Sequence, residues 1–353
     1  MAIDTVLKTI LTQPQPLTDL THPQWDVLIH SAQRVGLLGR VQYLLAAGGL
    51  LEGIPEQPKM HLETARIVAD NERRIMRWEI NRITRALREL QVPILLLKGA
   101  AYLVTDLPVS NGRVSSDIDL LVHKKDLTAV EGALKAHGWE HTKLDEYDQL
   151  YYRIWSHELP PLRHRERGTV VDVHHTILPP TGRLHPDPEK LLAEALPVKG
   201  LPFSVLCPPD MVLHSAAHAF QDGDLKRGLK DIVDLDELLR YFAADGSFWV
   251  KLIERGQELN LVRPLYYALR YAKLVLNTPI PQSVMERSQA FAPLWPIPQL
   301  MDHFVANVIS CRSDGRPGFM HDFAASMLYA RSHWLRMPPV LLARHLVHQW
   351  LKR

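Results

Sequence analysis

The sequence predicts an α+β protein in which helices pack against one sheet, with helical segments before and after it. Apolar residues recur at helical spacing before residue 90 and again after residue 208. Between these parts lie short apolar runs that end at glycine or contain acidic residues, a pattern typical of buried strands. The order strand, helix, strand, helix and then further strands is that of an α+β domain.

The N-terminal part is predicted to be helical. QWDVLIHSAQRVGLLGRVQYLLAAGG (24–49) ends in two glycines, which favour a helix stop, and IPEQPK (54–59) indicates a linker. A long amphipathic helix is expected from about His61 to Leu90. We therefore predict an N-terminal helical segment over residues 1–60 and the start of the next domain at residue 61.

The middle part, residues 61–200, is predicted to contain the sheet. PILLLKG (93–99) indicates a buried strand and a turn, AAYLVTDL (100–107) a short helix, SNGRVSS (110–116) a loop and DIDLLV (117–122) a second strand. KKDLTAVEGALKAHG (124–138) is typical of a helix that ends at Gly138. Further strands are predicted in WEHTKLD (139–145), YYRIWSHELPPL (151–162) and GTVVDVHHTI (168–177).

The C-terminal part, residues 201–353, is predicted to be an all-helical domain. Its clearest helix patterns are MVLHSAAHAF (211–220), LKRGLKDIVDLDELLRYF (225–242), FWVKLIERGQEL (248–259) and RPLYYALRYAKLVL (263–276). The tail from Ala290 is rich in proline and tryptophan, and its pattern does not show a role.

Composition indicates an ordinary globular protein of the cytoplasm. The 353 residues include 41 basic and 39 acidic side chains, and a net charge of +2 carries no overall signal for nucleic acid. The two cysteines, Cys207 and Cys311, cannot build a disulfide framework or a cysteine metal site. The N-terminus has no signal-peptide pattern, and no apolar run approaches the ~20 residues that span a bilayer. The sequence does not predict the oligomeric state.

Two acidic residues lie in the strand DIDLLV. Asp117 and Asp119 are two residues apart, so in a strand their side chains point to the same face. Like charges so close together repel, and a divalent cation removes the conflict. The apolar run GTVVDVHH supplies a third acid, Asp172, which a neighbouring strand could bring alongside. Three carboxylates can hold two metal ions of the kind that assist displacement at phosphorus.

Residues around this strand are suited to bind phosphate. Lys98 and Gly99 lie at the predicted strand-to-helix turn, where glycine allows close approach of a phosphate and lysine adds a positive charge. Arg113, Ser115 and Ser116 come directly before the acidic strand. Together these residues predict a nucleotide-binding site beside the carboxylates.

The combination KGAAYLVTDLPVSNGRVSSDIDLLV followed by VVDVHHTI resembles the nucleotidyltransferase superfamily that includes DNA polymerase beta and the aminoglycoside nucleotidyltransferases. It is most similar to a family of uncharacterised bacterial nucleotidyltransferases with Lys-Gly at the turn, and LHSAAHAF and LKRGLKDIVDLDELL resemble that family too. The resemblance covers roughly residues 62–280. It implies a nucleotidyltransferase-like mixed sheet with packed helices.

The resemblance also implies chemistry. Asp117, Asp119 and Asp172 would be metal ligands and catalytic residues for two Mg²⁺ ions, or Mn²⁺, and Gly99 would be the glycine of the phosphate turn. The expected reaction moves an NMP group from an NTP such as ATP to an unknown hydroxyl acceptor on a small molecule or a protein, with release of pyrophosphate. Ala100 departs from the pattern, because many active relatives have serine after this glycine.

Several other side chains are candidates. Lys226, Arg227 and Lys230 could bring cations from the helical domain to the triphosphate, or could form a solvated helix face with local ion pairs. His174 is two residues after Asp172 and should face the same side, as an acceptor contact, a metal contact or a hydrogen-bonded residue at the rim of the site.

Two further patterns favour packing over function. His214 and His218 are four residues apart on a predicted helix and could bind zinc together, but no third ligand is near in the sequence. The arginines of the long N-terminal helix alternate with glutamates, which favours a solvated face over a nucleic-acid surface.

Two other functions stay open at the level of sequence. A binding module with the same fold could bind a nucleotide or a partner without turnover, and Ala100 is the feature that supports it. An enzyme acting on RNA ends, such as those of tRNA, is disfavoured by the near-neutral charge and the lack of a basic strip with interleaved aromatic residues, so nucleic acid is not the expected partner. The P-loop, dinucleotide-binding and zinc-protease motifs are absent from the sequence.

Overall fold

A seven-stranded mixed sheet lies in the middle of the chain and helices cover it. The computed structural model describes residues 5–15, 17, 19–142, 152, 155–222, 225, 228–309 and 318–343. The strands are β1 (Leu95–Leu96), β2 (Asp117–Leu121), β3 (Trp139–His141), β4 (Leu162–His164), β5 (Val170–His174), β6 (Leu196–Pro197) and β7 (Ser204–Val205). The predicted α+β class, with a mixed sheet and packed helices, is confirmed.

Helices precede, interrupt and follow the sheet. Before it come α1 (Thr5–Thr12), α2 (His22–Arg34), α3 (Leu38–Ala47) and α4 (Glu56–Ala86). Within it are α5 (Lys98–Val104), α6 (Leu127–Ala136) and α7 (Pro188–Ala193), with 3₁₀ turns at Pro108–Ser110 and Lys124–Asp126. After it come α8 (Pro208–Ala217), a π-helical turn (His218–Asp222), α9 (Gly228–Phe242), α10 (Phe248–Glu258), α11 (Val262–Leu276), α12 (Gln282–Gln289), α13 (Ile297–Ile309) and α14 (Phe319–Arg336).

The strand order places the two acidic strands next to each other at the centre of the sheet. Across the sheet the order is β3-β4-β5-β2-β1-β7-β6. Strand β2 runs parallel to β5 and antiparallel to β1. The apolar residues Ile118, Leu120 and Val171 of these strands are almost fully buried. Their burial fixes the register, because a slip of one residue would move the apolar side chains to the wrong face.

The long helix α4 begins earlier than the sequence predicts. It starts at Glu56, so IPEQPK is not a linker as predicted but contains the first turn of the helix. Pro58 is the third residue of α4. Proline is tolerated in the first turn because the amide hydrogens there have no partner within the helix.

The predicted strand over 151–162 is not formed as expected. Tyr152 and Trp155 have helical backbone, and the segment joins the sheet in its second half, where Glu158 forms an antiparallel bridge with His174 and Leu162 begins β4. Strand β3 ends at His141, and the rest of WEHTKLD from residue 143 lies outside the described residues. Strands β6 and β7 are two residues each, too short for a period-2 pattern to show in the sequence.

A buried arginine joins the N-terminal helices to the rest of the chain. Arg40 of α3 donates to the carbonyl oxygens of Pro108 and Asn111 at 2.9 and 3.0 Å, and it forms an ion pair with Glu237 of α9. The buried apolar residues form one continuous cluster that runs from Leu7 in α1 to Leu328 in α14.

Beyond β7 the described elements are all helical, as predicted for the C-terminal part. Among the described helices, none has both the length and the apolar character that crossing a membrane requires.

Candidate metal and nucleotide site

The three acidic residues of the two central strands converge on one point. Asp119 lies directly opposite Asp172 in the parallel pairing of β2 and β5, and Asp117 lies opposite Val170. Carboxylate oxygens of Asp117, Asp119 and Asp172 all lie within 4.8 Å of one another. The convergence expected from the i, i+2 spacing is therefore present in the fold.

Asp119 is held ionised by its neighbours. Its Oδ1 atom lies 3.8 Å from Nζ of Lys98 and 3.0 Å from Nε2 of His174. Burial alone would raise the pKa of Asp119, but the charge of Lys98 and the hydrogen bond from His174 outweigh it and hold the pKa well below its usual range. Asp119 is thus an anion at neutral pH even without a cation in the site.

Asp172 is in the opposite situation. Burial, together with the negative charges of Glu158 and Asp119, raises the pKa of Asp172 to about 7. Its Oδ1 atom is buried and has no hydrogen-bond partner among the described residues. A buried, unpartnered carboxylate oxygen is costly. Its position within the three-carboxylate group fits a divalent cation, which would be coordinated by this oxygen and neutralise the like charges.

A cleft of about 400 Å³ lies beside the carboxylates. One wall of the cleft is formed by residues of α5, of the loop before β2 and of β2 itself. The opposite wall is formed by residues of the helices after β7. Of the predicted phosphate-binding and metal-binding residues, the lining includes Lys98, Gly99, Arg113, Ser115, Ser116, Asp117, Asp119 and Lys230. Asp172 is not part of the lining, although its carboxylate lies within 4.8 Å of those of Asp117 and Asp119.

Gly99 lies within the first turn of α5 rather than before the helix. The backbone NH of Leu97 donates to the carbonyl oxygen of Asp119 at 3.0 Å, which ties this turn to β2. A Cβ atom on Gly99 would lie 2.5 Å from Oγ of Ser115 and 2.6 Å from Nη1 of Arg113. A larger residue here would displace Ser115 and Arg113, because the loop before β2 packs directly on the turn. Lys98 itself has φ of 43°, a strained conformation for a residue with a side chain.

Arg113 is already engaged in an ion pair across the cleft. Its Nε atom lies 3.0 Å from Oδ2 of Asp234 in α9, and it also contacts the Ser115 hydroxyl. Its guanidinium lies 5.7 Å from the ring centre of Tyr102. Arg113 therefore joins the sheet to the helical domain, and a phosphate would have to share it with Asp234.

The cationic cluster predicted at the start of α9 is described only in part. Lys226 and Arg227 lie outside the described residues, whereas Lys230 lines the cleft. The same helix also brings Asp231 to the cleft. Burial and the neighbouring Asp234 raise the pKa of Asp231 to about 6.

His174 is buried beneath the carboxylates and does not lie at the rim of the site. Its Nε2 atom bonds to Asp119, and its Nδ1 atom lies 3.4 Å from Oε2 of Glu158. The ring of His157 stacks on it with 5.2 Å between ring centres. Sequence reasoning missed Glu158 and His157, because nothing in the pattern of 151–162 shows that its end pairs with β5.

The two histidines of α8 and the π-helical turn lie near Lys98 instead of forming a zinc pair. Burial and the positive charge of Lys98 hold the pKa of His214 well below its usual range, and Lys98 and burial lower that of His218 to about 3. Both rings are therefore neutral at physiological pH. Neither belongs to a group of three potential metal ligands among the described residues.

Comparison with known proteins places the chain in a family. The family model described as uncharacterised nucleotidyltransferase matches residues 21–277. One solved structure, an antigenic nucleotidyltransferase-like protein from Paracoccidioides brasiliensis, is 15% identical and covers 57% of this chain and 96% of its own. Its TM-score of 0.30 is too low to support an argument. No curated protein matches the chain. Because the family model matches well over half of the residues, the chain belongs to the family of uncharacterised nucleotidyltransferases.

Proposed function

We propose that the chain transfers an NMP group from an NTP to a hydroxyl group on a small molecule or a protein and releases pyrophosphate. The observation that carries this proposal is the group formed by Asp117, Asp119 and Asp172, with ligand oxygens within 4.8 Å of one another beside a cleft of about 400 Å³. The cleft is large enough for a nucleotide, since small-molecule sites occupy roughly 300–1,000 Å³.

The carboxylates would hold two Mg²⁺ or Mn²⁺ ions. When bound, such ions stabilise the attacking and leaving oxygens of a displacement at phosphorus. Asp119 enters this site already ionised, because Lys98 and His174 stabilise its charge. Asp172 offers an oxygen that has no competing hydrogen bond among the described residues.

Residues of the cleft would position the triphosphate. Lys98 and Lys230 line the cleft and can neutralise phosphate charge. The Ser115 hydroxyl lies close to Gly99, so it can donate to a phosphate oxygen at the turn where relatives use the serine that Ala100 replaces. Positioning and charge neutralisation are the main contributions of the protein to this kind of reaction.

The charge of the cleft favours a compact acceptor. Its far side carries Asp231 and Asp234, and Asp234 is paired with Arg113. A polynucleotide following this wall would meet Asp231 and Asp234 beside Lys230, so carboxylates would offset the cation that its phosphates require. We therefore propose a small molecule or a protein side chain as the acceptor in preference to an RNA end.

The test is transfer of label from each NTP in turn. The wild-type protein and Asp119→Asn are incubated with α-labelled ATP, GTP, CTP or UTP, Mg²⁺ or Mn²⁺, and fractionated cell extract. Label should appear in one fraction with the wild-type protein and should be lost with the variant or with a chelator. If NTP binds but no fraction becomes labelled with either metal, the proposed transfer is wrong, and the binding module suggested by buried Ala100 takes its place.

A further inference from the structure

We propose that His157, Glu158 and His174 form a second metal site, which takes a transition-metal ion such as Zn²⁺. One potential ligand atom from each of the three residues lies within 4.8 Å of the other two. The group is distinct from the three carboxylates, with which it shares no residue. The inference does not depend on the proposed transfer reaction.

The geometry of the closest pair fits a bound ion. Nδ1 of His174 lies 3.4 Å from Oε2 of Glu158. Ligands ~2.1 Å from a tetrahedral zinc ion are about 3.4 Å from each other, so this pair already has the required spacing. His157 is half-buried, its ring stacks on that of His174, and its ligand atom lies within 4.8 Å of the other two, so closing the site requires a shift of the His157 side chain.

The environment of His174 resembles that of a histidine bound to a metal. Histidines that bind metal usually donate their other ring N–H to a carboxylate, which fixes the tautomer and the ring orientation. In this structure Nε2 of His174 is 3.0 Å from Oδ1 of Asp119, which leaves Nδ1 facing Glu158. An ion on Nδ1 would take the place of a proton there, while the proton on Nε2 would stay directed at Asp119.

Backbone hydrogen bonds also hold the three potential ligands close together. Glu158 pairs with His174 as an isolated antiparallel bridge, and the backbone NH of His175 donates to the carbonyl oxygen of His157 at 2.9 Å. The three ligands therefore come from two segments that are hydrogen-bonded to each other, so little ordering entropy is lost on binding.

The donor set selects the kind of ion. Two imidazoles and one carboxylate suit Zn²⁺ and its neighbours in the transition series, whereas Mg²⁺ favours oxygen ligands. A zinc site with this set leaves a fourth position for water or another ligand. An ion on Nδ1 would strengthen the hydrogen bond from Nε2 to Asp119, so the second site would orient a residue of the carboxylate group.

The experiment measures zinc binding in a protein whose carboxylate site is disabled. The full-length Asp172→Asn variant is stripped with a chelator and titrated with Zn²⁺ in excess Mg²⁺, and bound zinc per chain is determined. We expect one tightly bound ion. Adding His157→Gln or Glu158→Gln to this background should weaken zinc binding at least about 100-fold. In the Co²⁺-loaded protein, the visible absorption of a four-coordinate site should be lost in the same double variants.

A matched control keeps the test specific. His123 forms a histidine–carboxylate pair with Glu189, with 2.8 Å between Nδ1 and Oε1, but belongs to no group of three ligands among the described residues. Adding His123→Gln to the same background should leave zinc binding unchanged. The proposal is overturned if Asp172→Asn binds no zinc, or if His157→Gln and Glu158→Gln leave its affinity unchanged while thermal unfolding shows that these variants are folded.

Discussion

Two aspartates that face each other across one strand pair respond to their surroundings in opposite ways. Asp119 lies against Lys98 and His174 and stays ionised, whereas Asp172 lies among Glu158 and other carboxylates, and its pKa rises to about 7. The sequence predicts that the acidic side chains share a face, because that follows from the strand period. It does not predict the difference between them, because Glu158 and Lys98 come from segments distant in sequence.

The raised pKa of Asp172 gives a pH-dependent stability. The folded state binds a proton at Asp172 up to about pH 7, whereas the unfolded chain releases it near pH 4, so stability falls as the pH rises through that window. Compared with Asp172→Asn, which does not titrate, the metal-free wild-type protein should lose free energy of unfolding between pH 4 and 7. Urea unfolding of both proteins at several pH values measures this.

Mg²⁺ should reduce the stability lost as the pH rises to 7, because the cation replaces the proton on Asp172. The Asp172→Asn variant should gain less from the ion. Parallel pH profiles of the two proteins without metal would show that Asp172 is not perturbed by its neighbours.

Substitutions at Asp117 and Asp119 should have similar effects on turnover but different effects on stability. Both variants Asp117→Asn and Asp119→Asn should lower nucleotidyl transfer by at least about 100-fold, because each removes a charge from the metal site. Without metal, only Asp119→Asn should lose stability, by about 1–3 kcal/mol, because it breaks the buried contacts with Lys98 and His174. Asp117 is exposed, so its variant should keep the wild-type free energy of unfolding.

Asp70→Asn is the matched control, since it alters an exposed carboxylate on α4 that pairs with Arg66. It should change neither property by a measurable amount. Full turnover in Asp117→Asn would show that this residue is an ordinary strand end and not a metal ligand.

At the scale of elements, prediction succeeded where a local rule decides the outcome. Strands β2 and β5 and helices α9 to α11 follow from apolar periodicity. The start of α4 differs from the prediction because the two prolines of IPEQPK indicate a linker, although the first turn of a helix accepts Pro58. The end of 151–162 and strands β6 and β7 depend on pairing with residues distant in sequence, which a single sequence does not show.

The turn between β1 and α5 yields a prediction about packing. Gly99→Ala places a methyl group 2.5 Å from Oγ of Ser115, so Ser115 and Arg113 must move away from the turn. We expect overpacking to cost about 1–3 kcal/mol, against a gain of about 1 kcal/mol from helix propensity. NTP affinity should fall more clearly than stability, because the displaced side chains line the cleft.

Gly132→Ala in α6 is the matched control, because a Cβ atom there meets nothing within 4 Å. It should stabilise the protein by about 0.5–1 kcal/mol and leave NTP affinity unchanged. Thermal unfolding and nucleotide titration of both variants provide the comparison. Equal affinities in the two variants would mean that the loop before β2 does not contact the nucleotide.

At the scale of the whole molecule, the N-terminal helices share a core with the rest of the chain. The buried residues Leu7, Trp25 and Leu45 belong to the same apolar cluster as the sheet and the C-terminal helices. Helix α1 contacts α11, and α3 contacts α4. Composition and periodicity predicted helices in residues 1–60, but they could not show that these helices complete the core of the other parts.

Arg40 makes this coupling specific. It is almost fully buried, donates to Pro108 and Asn111 and pairs with Glu237, so it links α3, the loop before β2 and α9. Arg40→Ala should leave the partly buried Glu237 and the carbonyl oxygens of Pro108 and Asn111 without this partner, at a cost of about 3–5 kcal/mol. Because the three parts share this residue, the variant should still unfold in one transition, at a lower temperature.

Removal of residues 1–50 tests whether the shared core is required for folding. The deletion takes away α1 to α3 and exposes the apolar residues of α4 and α11 that they cover. We expect the remaining chain to lose cooperative thermal unfolding and to bind a dye for exposed apolar surface, whereas full-length protein with Arg40→Ala keeps a cooperative transition. Circular dichroism and calorimetry of both proteins distinguish lost cooperativity from simple destabilisation. A truncated chain that unfolds in one transition at the wild-type temperature would show that residues 1–50 form a separate unit. It would also show that the contacts of Arg40 with the loop before β2 and with α9 are not needed for folding.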